Sequence, residues 1–164
     1  MASAKKKDAK NSSDPVIARN RKAFHDFEII ETCEAGIVLV GTEVKSCRDH
    51  SVQLQDSFAR IENGELLVYG IHIALYEFGN RFNHEAKRPR KLLMHKKEIL
   101  RLANKVKEKG LALIPLKMYL KGMRVKIELG LARGKTFGDK RETLRRKQDD
   151  MDMRRAVASA RKHG

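Results

Sequence analysis

Residues 111–134, LALIPLKMYLKGMRVKIELGLARG, leave this chain little choice but β-structure. The second half alternates: Val125, Ile127, Leu129 and Leu131 fall on one face, Arg124, Lys126 and Glu128 on the other. That is the period of an antiparallel strand with one face in a core. Lys121-Gly122 divides two β-rich runs, so the segment reads as a hairpin. Pro115 lacks a donor N–H and belongs at an edge or a bulge. SFARIENGELLVYGIHI supplies another hairpin, turning at Asn63-Gly64, a pair suited to a type I′ turn because both residues tolerate positive φ.

Around these hairpins the pattern stays mainly β. FEIIETCEAGIVLVG reads as two β segments broken near Glu34-Ala35-Gly36, and TEVKSCRDH, with Val44 and Cys47 three apart, as a short helix. Tyr76 to Lys91 shows neither period and reads as a long loop. HKKEILRLANKVKEKG puts Ile99, Leu102, Ala103 and Val106 on one helical face, with Gly110 as its stop. Some six strands, one clear helix and one short helix predict a mainly β domain with accessory helices, built as a closed barrel or sandwich. A barrel of oligonucleotide-binding (OB) type suits so basic a chain, although pattern alone does not separate it from other small barrels. The organisation expected is a flexible basic arm over residues 1–19, the barrel domain over 20–134 and a basic tail over 135–164.

Charge narrows the partner. The formal net charge of +15 favours a polyanion, through phosphate neutralisation and counterion release. No stretch approaches the roughly 20 apolar residues of a spanning helix, and the N-terminus carries no apolar signal core, so no membrane partner is expected. Two cysteines are too few for a disulfide framework. Cys33 and Cys47 read as small buried hydrophobes in a reducing, cytoplasmic setting.

No persuasive catalyst emerges. Glu43-Val44-Lys45 matches the acid-x-lysine half of a Mg²⁺-dependent nuclease site, but it lacks a preceding Pro-Asp partner and reads more simply as a solvated helix face. Cys47, Asp49 and His50 lie close in sequence, which does not define a nucleophile and its base. The histidines show no zinc spacing, and no phosphate-binding glycine loop is present. Neither metal nor cofactor is expected. Binding signals are stronger. AKRPRKLLMHKK gathers Lys87, Arg88, Arg90, Lys91, Lys96 and Lys97 around a short apolar run, with Leu93 and His95 able to meet exposed bases. NRKAFHDF interleaves Asn20, Arg21 and Lys22 with Phe24, His25 and Phe27, a mixture suited to stacking and phosphate contact. Glu34 is a carboxylate placed to accept from a base or a 2′-hydroxyl, or equally to cap a turn.

NRKAFHDFEIIETCEAGIVLVGTEVKS, GNRFNHE, RPRKLLMHKKEI and LARGKTFGDKRET, in this order, resemble the small protein B family, the SsrA-binding proteins of bacterial ribosome rescue. The resemblance implies an OB-type barrel with accessory helices, no enzymatic activity, and a grip on the tRNA-like domain of transfer-messenger RNA. By motif, the implied RNA-binding positions are Asn20, Lys22, His25, Glu34, Lys45, Arg48, Arg90, Lys91, Leu93 and His95. A second face, toward small-subunit RNA at the decoding site, would hold Leu131, Ala132, Arg133, Gly134, Lys135, Asp139, Lys140 and Arg141. Elongation factor Tu and alanyl-tRNA synthetase are implied as further partners through the charged RNA. The chain departs from the family pattern at Phe24, at His50 and at Gly138, and its tail lacks tryptophan.

The resemblance also gives the tail a purpose. Residues 138–164 hold few large apolar side chains, so they are expected to be largely unstructured when free. On the ribosome such a tail becomes a helix in the empty messenger channel. Arg145, Arg146, Lys147, Arg154 and Arg155 would meet phosphates there, and Leu144, Met151 and Val157 would form a thin apolar edge.

Overall fold

The computed structural model describes residues 14–79 and 83–162. The arm expected over 1–19 lies mostly outside them. Its last residues do not behave as an arm, because β1 (Val16–Arg19) pairs with β8 (Ala112–Lys121) and buries Ile17. The remaining strands are β2 (Phe27–Ile37), β3 (Val52–Gln53), β4 (Phe58–Glu62), β5 (Glu65–Tyr69), β6 (His72–Ile73), β7 (Arg90–Leu93) and β9 (Arg124–Gly134). The helices are α1 (Arg21–Asp26), α2 (Gly41–Arg48), α3 (Lys96–Lys109) and α4 (Phe137–Lys162). The architecture is mainly β with accessory helices, and richer in elements than the six strands and two helices expected.

Both hairpins form where the turn residues place them. β4 and β5 pair from Phe58↔Tyr69 to Glu62↔Glu65, and Asn63 and Gly64 both adopt positive φ, 51° and 76°, as a type I′ turn requires. β8 and β9 pair from Lys121↔Arg124 down to Ala112↔Ala132. The main sheet runs β1-β8-β4-β5-β7-β2-β9, and β9 pairs again with β8. Six strands therefore pair in an antiparallel circuit. The other edge of β8 is shared, with Leu113 meeting β4 and Lys117 to Tyr119 meeting β1.

Two bulges decide which side chains reach the core. In β2 the pairing with β9 slips between Ile29 and Glu31, leaving Ile30 unpaired and half exposed. One extra residue turns the strand over. Phe27 and Ile29 thus join a small outer cluster with Ala23, Ile114, Leu116 and Ala132, while Ala35 and Ile37 enter the main core. In β8 the register slips between Pro115 and Lys117, so Pro115 does sit at a bulge. Leu116 is thrown to the outer cluster opposite Gly130, where an added Cβ would come within 2.9 Å of Leu116 Cδ1. The expected break at Glu34-Ala35-Gly36 is absent. β2 runs straight through, because the bulge at Ile30 already supplies the change of face.

Inside the circuit Leu66, Val68, Leu92, Ile127, Leu129 and Leu131 are all but completely buried. α3 lays Ile99 and Leu102 on this core, with Val106 packed beside them. It ends at Gly110 in the left-handed conformation, which glycine adopts without a Cβ clash. Arg101 and Lys105 fasten its outer side to Glu31 at 2.6 and 2.5 Å. No helix among the described residues is long and apolar enough to cross a membrane.

The two thiols behave as hydrophobes. Burial pushes Cys47 up to about 12 and Cys33 up to about 11. At pH 8 a thiol reagent is therefore expected to leave Cys47 untouched in the folded protein and to titrate both cysteines after denaturation. Reactivity should climb only as the pH nears 11, where thiolate begins to form. Rapid native-state labelling of Cys47 at pH 8 would show that α2 is looser than described.

Candidate nucleic-acid interface

Several of the expected contact residues lie inside the protein. Asn20 is 4% exposed. Its side chain accepts from the Ala23 N–H to cap α1 and donates to the Leu54 and Pro115 carbonyls at 3.2 and 2.9 Å. Leu131 and Ala132 are core residues of β9, exposed by no more than 1%. Arg90 is likewise 1% exposed. Its guanidinium is fully engaged with Glu43 and with the Ile71 and Ala86 carbonyls at 2.9 and 3.1 Å. None of the four offers its side chain to a ligand. The polar pair among them, Asn20 and Arg90, instead tie chain segments together.

Glu43 is not the solvated helix-face residue expected. It is completely buried at the third residue of α2. It accepts from the Val40 N–H, from Arg88 and from Arg90. Burial pushes its carboxyl up, but Arg88, the Val40 N–H and Arg90 together hold it below the ordinary glutamate value. A carboxylate so occupied has no room for Mg²⁺, and the Lys45 ammonium sits 5.1 Å over the Tyr76 ring. Cys47 is buried as a neutral thiol, so the Cys47, Asp49 and His50 grouping forms no nucleophile either. Among the described residues no cluster of His, Cys, Asp and Glu could hold a metal ion.

Two polar or basic surfaces lie near the two ends of β2. Phe27 pairs with Gly134 at one end, and Gly36 pairs with Lys126 and Leu93 at the other. Nine steps of strand separate them by about 30 Å. At the Gly36 end a groove of about 440 Å³ is lined by Leu39, Val44, Leu93, Met123, Arg124 and Lys126, among others. Leu93 is 54% and Met123 82% exposed, an apolar floor between cations. Lys45 and Arg48 stand exposed on α2, whose Val44 lines the groove, and Lys91 and His95 flank Leu93. Lys91 pairs with Glu65 at 3.0 Å across an exposed surface, a contact worth little and easily exchanged for phosphate. Arg124, Lys126 and Met123 were not among the expected contacts. Their sequence pattern shows only that they face outward, and it is the β8–β9 turn that carries them to Leu93.

Glu34 lies near this end but is spoken for. It accepts from the Tyr119 hydroxyl and from Lys121 at 3.2 Å. The Tyr119 bond first, then Lys121, hold its carboxyl down against a smaller opposing effect of burial. The Tyr119 phenol is pushed up by burial and by that carboxylate. In this chain Glu34 braces β2 against β8.

The Phe27 end holds the other set. Lys22 pairs with Asp56 at 2.9 Å, and His25 Nδ1 lies 2.9 Å from Asp26. The His25 bond first, then Lys140 at 3.5 Å, keep Asp26 below the usual aspartate value despite some burial. Lys135 donates its N–H to the Asp26 carbonyl and its Nζ to the Phe24 carbonyl. Arg133, Gly134, Lys135, Asp139 and Arg146 line one polar cleft of about 420 Å³ with Glu28, Glu142 and Thr143. Lys22 and His25, expected beside Lys45 and Leu93, thus stand beside the base of α4.

Beyond this cleft the tail is helical. Residues 137–162 form one 26-residue helix, roughly 39 Å long. Thr136 and Asp139 start it with a reciprocal cap: the Asp139 N–H donates to Thr136 Oγ1, and the Thr136 N–H to Asp139 Oδ2. Glu142–Arg146 and Gln148–Asp152 add contacts one turn apart. From Leu144 to Arg161 every residue is exposed. Arg145, Arg146, Lys147, Arg154 and Arg155 project into solvent, as do Leu144, Met151, Met153 and Val157.

Comparison with known proteins identifies the family. A family model described as SmpB protein matches residues 17–159. The SsrA-binding protein of Carboxydothermus hydrogenoformans is 60% identical over 144 residues, covering 88% of this chain and 97% of that protein. That of Bacillus cereus is 55% identical over 150 residues, covering 92% and 97%. A solved structure described as "tmRNA-SmpB: a journey to the center of the bacterial ribosome" aligns with a TM-score of 0.65 at 51% identity, covering 80% of this chain and 96% of that one.

Proposed function

This chain belongs to the SmpB protein family, and from that premise we propose that it is an RNA-binding adaptor, without catalytic activity, that carries transfer-messenger RNA to stalled ribosomes for trans-translation in the cytoplasm. The observation that carries this reading is the family match itself, which runs unbroken from Ile17 through the groove at Leu93 and into α4. The antiparallel circuit of six strands supports reading the domain as a closed OB-type barrel. The groove at the Gly36 end, lined by Leu93, Met123, Arg124 and Lys126, together with Lys91 and His95 beside Leu93 and Lys45 and Arg48 on α2, takes the tRNA-like domain: exposed cations position phosphates while Leu93 and Met123 offer apolar contact. The cleft at Arg133, Lys135 and Asp139, with Lys140, Arg141 and α4, faces small-subunit RNA at the decoding site. Lys22 and His25 belong with that second face.

The division is tested by binding the tRNA-like domain to the full chain and to a version ending at Gly134, at physiological salt with single-stranded RNA as competitor. Affinities without a stated salt concentration carry little meaning here. Both proteins are expected to bind within about threefold of one another and to resist the competitor. Loss of most affinity on truncation would instead make α4 part of the RNA clamp.

A further inference from the structure

The Glu43-Val44-Lys45 motif finds no use in catalysis, and its carboxylate is completely buried. What it does contact is the long segment between β6 and β7. Arg88 reaches back to Glu43 through Nε at 3.1 Å and through Nη2. Arg90 joins Glu43 to the Ala86 carbonyl, which also accepts the Ile73 N–H. A second fastening lies alongside. His84 meets the Thr42 hydroxyl at 3.0 Å and the Ile73 carbonyl at 2.9 Å through its two ring nitrogens. Apart from the Arg90–Ala86 bond inside the segment, each of these ties residues 84–90 to α2 or to β6. Outside them stand exposed cations: Lys45 and Arg48 on α2, Lys87 on the segment, Lys91 on β7.

We infer that Arg88, acting through Glu43, is a positioning residue for recognition of folded RNA: it locks the segment before β7 to α2, so that cations on two separate elements present one rigid surface. This rests on the function proposed above. Arg88 is suited to the task because only 29% of its side chain is exposed and its Nε and Nη2 are both spent on the buried Glu43. Only Nη1, 3.4 Å from the Pro89 carbonyl, stands on the exposed side. A surface held in one arrangement matches the fixed phosphate spacing of a folded RNA without an ordering cost on binding. A flexible single strand can adapt to a loosened surface, so it gains less from the lock. If unlocking lowers the fraction of molecules in the competent arrangement to about a tenth, the apparent Kd rises about tenfold.

The test compares wild type, Arg88→Ala and Arg88→Lys for binding to the tRNA-like RNA and to a single-stranded RNA of equal length across a salt series, with amide hydrogen exchange of the free proteins. Arg88→Ala retains the Glu43–Arg90 pair and is expected to fold. The expected result is about tenfold weaker binding of the folded RNA and less than about threefold change for the single strand. The salt slope should be unaltered, exchange should be faster over residues 83–90, and Arg88→Lys should recover part of the loss. Three results would overturn the inference. One is equal affinity of Arg88→Ala and wild type for the folded RNA. Another is unchanged exchange over residues 83–90. The third is equal weakening for both RNAs with a salt slope reduced by about 0.7–0.9, which marks a direct phosphate contact. If wild type itself fails to prefer the folded RNA, the proposed function falls first, and that outcome is distinct from the other three.

Discussion

Arg90→Ala is expected to destabilise the protein by about 3–5 kcal/mol, because it leaves a carboxylate buried with half its compensation removed. Glu43 and Arg90 are both fully buried, and the substitution also orphans the Ile71 and Ala86 carbonyls that Arg90 satisfies. Urea unfolding at neutral pH measures the loss, and a cycle with Glu43→Ala apportions it. The double variant should be far less unstable than the sum of the singles, since removing both charges leaves neither uncompensated. The pH dependence carries a sign. The Glu43 carboxyl is held below its ordinary value in the fold, so its contribution is present above the normal glutamate range and is lost as pH falls through the lowered folded value. The gap between wild type and Arg90→Ala should therefore narrow in acid. A cost under about 1 kcal/mol at neutral pH would mean that water reaches the pair and that it behaves as a surface contact.

This cluster also shows where reading a sequence stops. The hairpins, the α3 face and the bulge at Pro115 were legible because each rests on local chemistry: turn residues with positive φ, a 3.6-residue apolar period, a missing N–H. Nothing local distinguishes Arg90 from Lys91 or Glu43 from a solvated helix carboxylate. Their fates are set by which face of β7 and of α2 turns inward, and that is decided by partners 47 residues away. The same limit applies to the bulge at Ile30. An apolar residue between Ile29 and Glu31 fits an unbroken strand equally well, and the extra residue appears only when β9 is placed beside it. It also explains the sorting of the site. Motif resemblance grouped Lys22 and His25 with Leu93, whereas the length of β2 sets them at opposite ends. Arg124 and Lys126 escaped notice because an outward-facing cation in a strand carries no mark of what lies across the turn, and Met123 because a methionine in a turn carries none either. The start of α4 at Thr136 is set by local chemistry too, a capping box followed by one-turn side-chain pairs that need no core.

Neutralising Arg145, Arg146, Lys147, Arg154 and Arg155 together, each to glutamine, is expected to leave the tRNA-like RNA bound within about twofold of wild type. Binding to stalled ribosomes, and with it tagging of the arrested nascent chain, should fail. The reason lies in how α4 is exposed. Every residue from Leu144 to Arg161 is exposed, so the five substituted cations, Arg146 by giving up Glu142, and the edge of Leu144, Met151, Met153 and Val157 can meet a partner. If each cation meets one phosphate, the salt slope of ribosome binding should fall in magnitude by about 4 in the variant. Wild type should accordingly lose about 10²-fold more affinity than the variant between about 50 and 200 mM salt. Glutamine keeps the helical propensity of the replaced residues, and circular dichroism of the two proteins should coincide, which separates loss of charge from loss of helix. Equal salt slopes with retained tagging would remove α4 from the RNA-facing surface, leaving the cleft at Arg133 and Lys135 to make the ribosomal contact alone.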